Sequence, residues 1–442
     1  MLQFWWYSLL DVSTWSSLLA SQRKRSLNQF IFVGLISVII FIVMVIATHN
    51  LLTEPFPGHN DFLSRWEGSR SFWVDGLNPY GDEASLNIQN FMYGRPAMPD
   101  EDQVLFAYPM YTAILLLPLV FTNYAWASAV IMVIMEAMLL VALFFLLDLF
   151  KFRPKAIVLL LLLLIALLHY TAARGLILGQ LGLVCYFGFA LTFWGLGKDH
   201  DRIAGVALSL ATIKPQLGFL IVLFLFLWGI RANRWQFVGS FVVSMLVLVG
   251  VSFVLVPTWL VDMWGQVTAY GGYAPATPNE RLFTDFLGLP ANSQYILFAV
   301  LWGGMLMTWY QVLIQGKLER AMWAAMVTLT VSNVAAPVVA TPHFTVFMIP
   351  LIFYLKHLDR RRQYQRWIIP LLLVILIEPW LRFLLTLEAE SRLEHWFIYF
   401  PEPIVILISL WIFRELWWTD GSVLRPAKEG EDSLKPETVV SL

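Results

Sequence analysis

Residues 51–104 read LLTEPFPGHNDFLSRWEGSRSFWVDGLNPYGDEASLNIQNFMYGRPAMPDEDQV, the longest polar stretch in a mostly apolar chain. The stretch contains nine acidic residues but only three basic ones, Arg65, Arg70 and Arg95. Membrane proteins retain positive charge on the cytoplasmic side of the bilayer. An acidic loop that directly follows an apolar segment is therefore expected to lie outside the cell.

Within this loop, residues 61–72 have the residue spacing of a helix. Apolar Phe62, Trp66 and Phe72 alternate there with polar Asp61, Arg65 and Arg70. We predict an amphipathic helix that lies on the outer face of the membrane. The Asn-Pro-Tyr-Gly sequence at residues 78–81 is typical of a turn and is expected to end this helical region.

Composition assigns the chain to the integral membrane proteins. Of its 442 residues, 59% are hydrophobic and only 13% are charged, which a water-soluble domain of this size would not tolerate. The net charge of −1 gives no electrostatic footprint for nucleic acid. A single cysteine, Cys185, excludes an internal disulfide and argues against a metal site built from several cysteines. We predict neither a metal nor another cofactor.

The positive-inside rule orders the membrane segments. The first segment is Asn28–Thr48, and the basic cluster at residues 23–25 holds its start inside, so that residues 1–27 form a cytoplasmic or interfacial segment. The segment Leu105–Phe121 contains Pro109 and Pro118. If this segment and the next one both crossed, the basic connector at residues 151–155 would lie outside, against the charge rule. We therefore predict that it enters the outer leaflet and returns, and its two prolines suit such a broken segment, provided that protein covers its backbone.

The remaining segments follow from the same reasoning. Ala173–Gln180 is predicted as an outer turn, and Ile203–Ile230 as a hairpin of two half-helices broken at Lys214-Pro215. The other predicted membrane segments are Tyr124–Phe150, Ala156–Ala172, Leu181–Leu196, Trp235–Val256, Gln294–Ile314, Ala321–Ala340, Phe344–Leu355, Trp367–Leu387 and Trp396–Arg414.

These segments predict an all-α polytopic membrane protein with about 12 membrane helices and both ends in the cytoplasm. The membrane domain spans residues 28–416, with outer loops at 50–104, 257–293 and 388–395. Residues 417–442 are polar, contain Pro and Gly, and are predicted to form a disordered cytoplasmic tail.

Several polar side chains are predicted at one depth, in the outer half of the membrane. They are His169, Arg174, Gln180, Lys214, His343, Glu378, Arg382 and Glu402. Ionisable groups at membrane depth are costly and are candidates for function, although structural ion pairs and snorkelling side chains are the simpler explanation. Their shared depth predicts one polar cavity that opens outward.

Two of these positions suggest particular roles. Lys214 stands beside a helix-breaking proline, and a helix break beside a cation suits an anionic headgroup such as phosphate. Glu378 and Arg382 are four residues apart and can pair on one helix face.

The order of short motifs along the chain resembles glycosyltransferase family 87, whose members are membrane-embedded transferases with the C-type (GT-C) fold. The motifs that carry the resemblance are Asp61, Asn78-Pro79-Tyr80, Tyr108-Pro109 with Pro118, Gly179-Gln180, Lys214-Pro215-Gln216, the segment Asn279–Leu282 and Pro342-His343. Two of these motifs depart from the family pattern. Met110 stands where a second proline is common, and Glu280-Arg281 stand where the family often has Gln-Ser.

The resemblance implies an inverting transfer of a sugar, often mannose, from a polyprenyl-phosphate carrier to a glycolipid or glycan acceptor. The reaction takes place at the extracytoplasmic face of the plasma membrane. Asp61 maps onto the general base, which takes the proton from the acceptor hydroxyl. Lys214, Arg174 and Arg382 are candidates for binding the donor phosphate, whose negative charge grows as it leaves. The proposed substrate contacts are Gln180, Asn78, Tyr80, His343 and Glu378.

Three alternatives stay open at the level of sequence. A lipid-linked glycan flippase or transporter would share the polar cavity, but it predicts paired broken helices, and only the break at Lys214-Pro215 is convincing. Another C-type transferase could use a diphosphate-linked glycan donor. A structural membrane protein would have no need for so many ionisable groups at one depth.

Overall fold

The structure is a computed structural model. It describes residues 27–57, 61–273, 283–285, 287–290, 292–334, 340–387 and 395–426. Every regular element in these residues is a helix, which confirms the all-α prediction. Predictions that fall on other residues, such as the segment Asn279–Leu282 and the acidic turn at 388–394, lie outside the described part of the chain.

The helices follow the apolar segments of the sequence, with polar turns between them. In chain order they are α1 (Leu27–Thr48), α2 (Asp61–Trp73), α3 (Asp82–Tyr93), α4 (Tyr111–Leu115), α5 (Tyr124–Leu149), α6 (Ala156–Leu168), α7 (Tyr170–Leu178), α8 (Gly182–Gly197), α9 (Asp201–Leu210), α10 (Pro215–Arg231), α11 (Trp235–Leu255), α12 (Trp259–Tyr273), α13 (Ser293–Trp309), α14 (Ala321–Val334), α15 (Met348–Arg360), α16 (Gln365–Leu385), α17 (Pro401–Ile412) and α18 (Arg414–Thr419). A 3-10 helix at Thr341–Phe347 precedes α15.

Among the described residues, five helices are long and apolar enough to cross a membrane: α1, α5, α11, α13 and α16. The pair α6–α7, bent by 41° at a short break, makes a sixth. The helices α8, α10 and α17 are apolar but shorter, and a complete crossing takes about 20 residues. The membrane character of the chain is therefore confirmed, whereas a total of about 12 membrane helices is not.

Helix α14 lies at the centre of the bundle, where it packs against α10, α13 and α17. Its residues from Ala321 to Asn333 are all buried. Three alanines in the first half allow neighbouring helices to approach closely. The polar residues in the second half, Thr328, Thr330, Ser332 and Asn333, each donate a hydrogen bond of 2.7–2.8 Å to the carbonyl four residues earlier. A polar stretch can therefore be buried without a ligand.

Helix α2 confirms the helix predicted over residues 61–72, but its surroundings differ from the prediction. Phe62 and Trp66 are buried, and so are the polar residues Ser64, Glu67 and Ser69. The helix packs against α3, α4 and α5, and the Trp66 indole donates a 3.0 Å hydrogen bond to the carbonyl of Leu119. Protein therefore covers the apolar face of α2 and part of its polar face, whereas Asp61, Arg65 and Arg70 are half-buried; the position of this helix at the outer membrane face stays a prediction.

Two predicted breaks are confirmed. The segment Leu105–Phe121 forms only the five-residue α4 and a 3-10 turn at Leu117–Leu119, so that it contains no continuous membrane-spanning helix. The chain also breaks at Lys214-Pro215, between α9 and α10. Helix α9 packs mainly on α8 and α11, whereas α10 packs mainly on α14. The two halves of the predicted hairpin therefore pack on different neighbours and not mainly on each other.

Two predicted boundaries are wrong. The outer turn predicted at Ala173–Gln180 is helical as far as Leu178, because α7 continues from the bend at His169. The boundary predicted at Trp417 for a disordered tail is also wrong, because Trp417 is fully buried in α18. Its ring stacks on Phe353 at 3.9 Å between centroids, and its indole donates to the hydroxyl of Tyr354.

Candidate functional site

The first residues of α8 and α10 bring three predicted site residues together. The ammonium of Lys214 donates a short hydrogen bond to the side-chain oxygen of Gln180. His343 lies beside them, since a Cβ on Gly182 would come within 3.2 Å of its Cδ2 atom. Cys185 fixes the arrangement by donating from Sγ to the carbonyl of Ala211, 3.4 Å away and three residues before Lys214. We call Gln180, Lys214 and His343 the anion cluster.

Lys214 places a positive charge in the interior of the protein. Its exposed fraction is 4%, and no carboxylate of the described residues lies within ion-pair distance of its ammonium. Burying an unpaired charge costs several kcal/mol, of order 3–5 when a partner is missing. A site that keeps such a cation is suited to an anionic ligand.

Two helix starts add to the positive potential at the anion cluster. Helix α8 begins at Gly182 and α10 at Pro215, immediately after Lys214. They begin close together, since a Cβ on Gly182 would lie 3.8 Å from the side chain of Leu217. The amino end of a helix carries a partial positive charge, so both helices favour an anion at this position.

His343 offers a free ring nitrogen to the same place. The residue is 3% exposed, in the 3-10 helix that packs against α7 and α8. Its Nδ1 accepts a 3.4 Å hydrogen bond from the amide of Ala340, whereas its Nε2 is buried and has no hydrogen-bond partner in the described part of the chain. Buried polar atoms are normally paired, so the vacant Nε2 marks a place for a ligand atom.

The start of α2, which carries Asp61, makes a close contact with the turn at Gly179. Gly179, with φ +63°, ends α7 directly before Gln180, and a Cβ at Gly179 would lie 2.5 Å from that of Phe62. The start of α2 therefore rests on the turn that carries Gln180. Asp61 is half-buried, and its carboxylate makes no hydrogen bond or ion pair with any residue that the structure describes.

Arg65 lies one turn after Asp61, and the sequence did not single it out. Its guanidinium donates a 2.9 Å hydrogen bond to the backbone carbonyl of Asp61 and lies 4.3 Å from the ring centre of Tyr108. It thereby connects α2 to the Tyr108-Pro109 motif.

Glu67, on the same helix, was not selected as a site residue from the sequence either. Burial raises the pKa of its carboxyl to about 7, and Arg70, 3.9 Å away, partly opposes the shift.

The other predicted cations and acids form a second group at the opposite end of α7. Arg382 pairs with Glu378 through two hydrogen bonds and also points at the backbone carbonyls of residues 397 and 398, at 3.4 Å. His169, at the start of α7, lies 3.5 Å from Glu402. Helix α7 has nine residues and therefore separates this group from Gln180 by roughly 13 Å. Arg174 is half-buried on α7 between the two groups.

Asn78 and Tyr80 connect the first predicted outer loop to the second one and to the segment that follows the first. The Asn78 amide donates a 3.0 Å hydrogen bond to Asp262 of α12, and the Tyr80 hydroxyl donates a 2.6 Å hydrogen bond to the carbonyl of Tyr108. The buried amide of Gln266 donates to the carbonyl of Tyr80 and accepts from the amide of Ala107. In the structure these predicted substrate contacts have partners within the protein.

In the described residues, the geometry brings a buried ammonium and two helix starts together, next to a helix that carries the unpaired carboxylate of Asp61. No group of three or more potential metal ligands occurs in the residues that the structure describes.

Comparison with known proteins identifies the family. No curated protein and no solved structure matches the chain. The family model for glycosyltransferase family 87 matches residues 106–342, more than half of the chain, and this range includes Gln180 and Lys214. The protein is a membrane-embedded glycosyltransferase that belongs to glycosyltransferase family 87.

Proposed function

We propose that the protein transfers a sugar, mannose, from a polyprenyl-phosphate carrier to a lipid-linked or glycan acceptor at the outer face of the plasma membrane. The observation that carries this proposal is the buried Lys214, which has no counter-charge among the residues that the structure describes and lies beside the Nε2 of His343, unpaired in the same residues. A lipid phosphate is an anion that a membrane-embedded site can accept from the side.

In the proposed reaction, the Asp61 carboxylate takes the proton from the acceptor hydroxyl while the oxygen attacks the anomeric carbon. The bond from that carbon to the phosphate oxygen breaks, and the lipid phosphate leaves from the opposite face of the sugar, so that the configuration inverts. Lys214 and the two helix starts stabilise the negative charge that develops on the phosphate. His343 Nε2 and Gln180 orient the same group.

The second group of residues has a supporting part in this proposal. Arg174 and Arg382 add positive potential along the path of the phosphate, and Glu378 holds Arg382 in place. Asn78 and Tyr80 shape the outer wall, because they bind α12 and the Tyr108 backbone. The positive-inside rule supports a site outside the cell with both chain ends inside.

The test is transfer of label from polyprenyl-phosphomannose into a lipid extract by the purified enzyme. Asp61→Asn removes the base with little change in volume and is expected to lower transfer by at least 100-fold, the lower range for loss of an acid–base group. Asp100→Asn makes the same chemical change at an exposed position of the same loop and should leave transfer unchanged. An active Asp61→Asn enzyme would contradict the base assignment, and an inactive wild type would contradict the donor assignment.

A further inference from the structure

A concentrated positive charge lies where α15 ends and α16 begins. Four arginines fall within seven residues there, and all of them are exposed: Arg360, Arg361, Arg362 and Arg366. Asp359, immediately before them, is the only acidic residue of the sequence from Lys356 to Arg366. Because the guanidinium group of arginine is always ionised in proteins, this charge is permanent.

One carboxylate from another part of the chain, that of Asp420 after α18, contacts this region and serves three basic side chains. Its Oδ2 lies 3.7 Å from the ammonium of Lys356 and 3.1 Å from Nε2 of His357, and it also accepts a hydrogen bond from Arg360. These partners outnumber its single negative charge, so Asp420 leaves the arginines that follow Arg360 without compensation.

The other three arginines have no acidic partner in the part of the chain that the structure describes. The side chains of Arg361, Arg362 and Arg366 make no ion pair and donate no hydrogen bond to any of those residues. We call these three residues the arginine surface. Like charges at such close sequence positions repel each other, and a bound anion relieves the repulsion.

The start of α16 acts in the same direction. This 21-residue helix begins at Gln365, and its first turn contains no acidic residue. The amino end of a helix carries a partial positive charge, which acidic side chains in the first turn normally offset. Arg366 instead adds a cation to this turn. The arginine surface and the helix dipole therefore both favour an anion at this end of α16.

The arginine surface borders the apolar surface of a membrane helix. Helix α16 is one of the helices that are long and apolar enough to cross the bilayer. Its exposed apolar side chains begin at Trp367, whose ring centre lies 5.5 Å from the guanidinium of Arg366, and continue with Ile369 and Leu373. Tryptophan is enriched at the interface between membrane and water. This position puts the arginines at the level of the phospholipid headgroups.

We propose that the arginine surface binds the headgroup of an anionic phospholipid, such as phosphatidylglycerol, in the leaflet that is predicted to be cytoplasmic. Guanidinium groups bind phosphate oxygens through paired, charge-assisted hydrogen bonds. A zwitterionic headgroup carries a cation that the arginines repel, so the surface selects lipids with a net negative charge. Helix α15, with 13 residues, separates this site from His343 by roughly 20 Å, and lipid binding here does not depend on the proposed sugar transfer.

The test uses the full-length protein in phosphatidylcholine nanodiscs that contain a small fraction of phosphatidylglycerol with a photoreactive diazirine on its headgroup. Peptide mass spectrometry is expected to place the crosslinks between Arg360 and Trp367. Excess unlabelled phosphatidylglycerol should abolish them, whereas inorganic phosphate should not. Crosslinks spread over the other connectors would overturn the proposal. Equal competition by inorganic phosphate would assign the site to a soluble anion and would overturn it as well.

Matched triple variants test whether the clustering of the charges matters. The variant that removes the arginine surface combines Arg361→Gln, Arg362→Gln and Arg366→Gln. Each basic residue near an anionic membrane surface contributes roughly fivefold in affinity, so crosslinking below saturation should fall on the order of 100-fold. The control variant removes three exposed charges at other places in the chain and should change crosslinking little: Lys155→Gln, Arg202→Gln and Arg231→Gln.

Both triple variants lower the net charge of the protein by the same amount. Equal losses of crosslinking would show that net charge alone attracts the lipid, and would overturn the proposal. The single change Arg362→Gln should lower crosslinking roughly fivefold, and it supplies the result if the triple variant does not fold. An unchanged yield with Arg362→Gln would then overturn the proposal.

Discussion

At the scale of single residues, Lys214 is the group that stability alone does not explain. A buried ammonium whose one hydrogen bond in the described residues goes to a neutral amide is worse for folding than an apolar side chain of similar length. Proteins accept such costs at functional sites, where binding of a ligand repays them. Lys214 is therefore expected to affect stability and substrate binding in opposite directions.

Lys214→Met should raise the unfolding free energy of the free protein by about 1 kcal/mol, because it removes an unpaired buried charge. The same change should abolish stabilisation by polyprenyl phosphate, which at 100 times its Kd should add about 2.7 kcal/mol to the wild type. Thermal unfolding in detergent, with and without the lipid, measures both effects. Lys155→Met, at an exposed lysine before α6, is the control and should change neither. A destabilised Lys214→Met protein that still binds the lipid would contradict this role.

At the scale of elements, the contact between Gly179 and α2 connects the anion cluster to Asp61. Gly179 is in the left-handed region, and any side chain there would strike Phe62. Gly179→Ala therefore combines backbone strain of about 1–2 kcal/mol with displacement of the start of α2. We expect a large fall in kcat, because the carboxylate of Asp61 moves away from the anion cluster.

Gly76→Ala separates the two effects of Gly179→Ala. Gly76 has a similar φ of +71°, but nothing lies within 4 Å of an added Cβ. The Gly76→Ala variant should lose about as much stability from backbone strain as Gly179→Ala, but its kcat should stay at the wild-type value. Unfolding free energies and transfer rates of the two variants provide the comparison. Equal kcat values would show that the contact with Phe62 does not position Asp61.

The same scale shows what could be predicted from the sequence. The break at Lys214-Pro215 was predictable, because proline lacks an amide hydrogen and cannot continue a helix. The helix at residues 61–73 was also predictable from its spacing. Its burial was not, because the covering residues, such as Leu119, come from a later segment. For the same reason, sequence placed Lys214, Gln180 and His343 at one depth but gave no distance between them.

At the scale of the whole molecule, orientation in the membrane decides which face receives the acceptor. The acidic loop at 51–104 and the basic run from Lys356 to Arg366 predict that Asp61 lies outside. In the opposite orientation, the acidic loop and the anion cluster would face cytoplasmic substrates instead. The fold is compatible with either orientation by geometry alone, so that the distribution of charge carries this prediction.

The single cysteine makes the orientation directly measurable. Cys185 is fully buried, so the wild type should not react with a membrane-impermeant maleimide. Asp100→Cys introduces an exposed thiol in the first loop, which is predicted to lie outside, and should be labelled in intact spheroplasts. Arg362→Cys, exposed in the basic run, should react only after permeabilisation, because the charge rule predicts that this run lies inside. The reverse pattern would move Asp61 to the cytoplasmic side and would leave the extracytoplasmic reaction without a site.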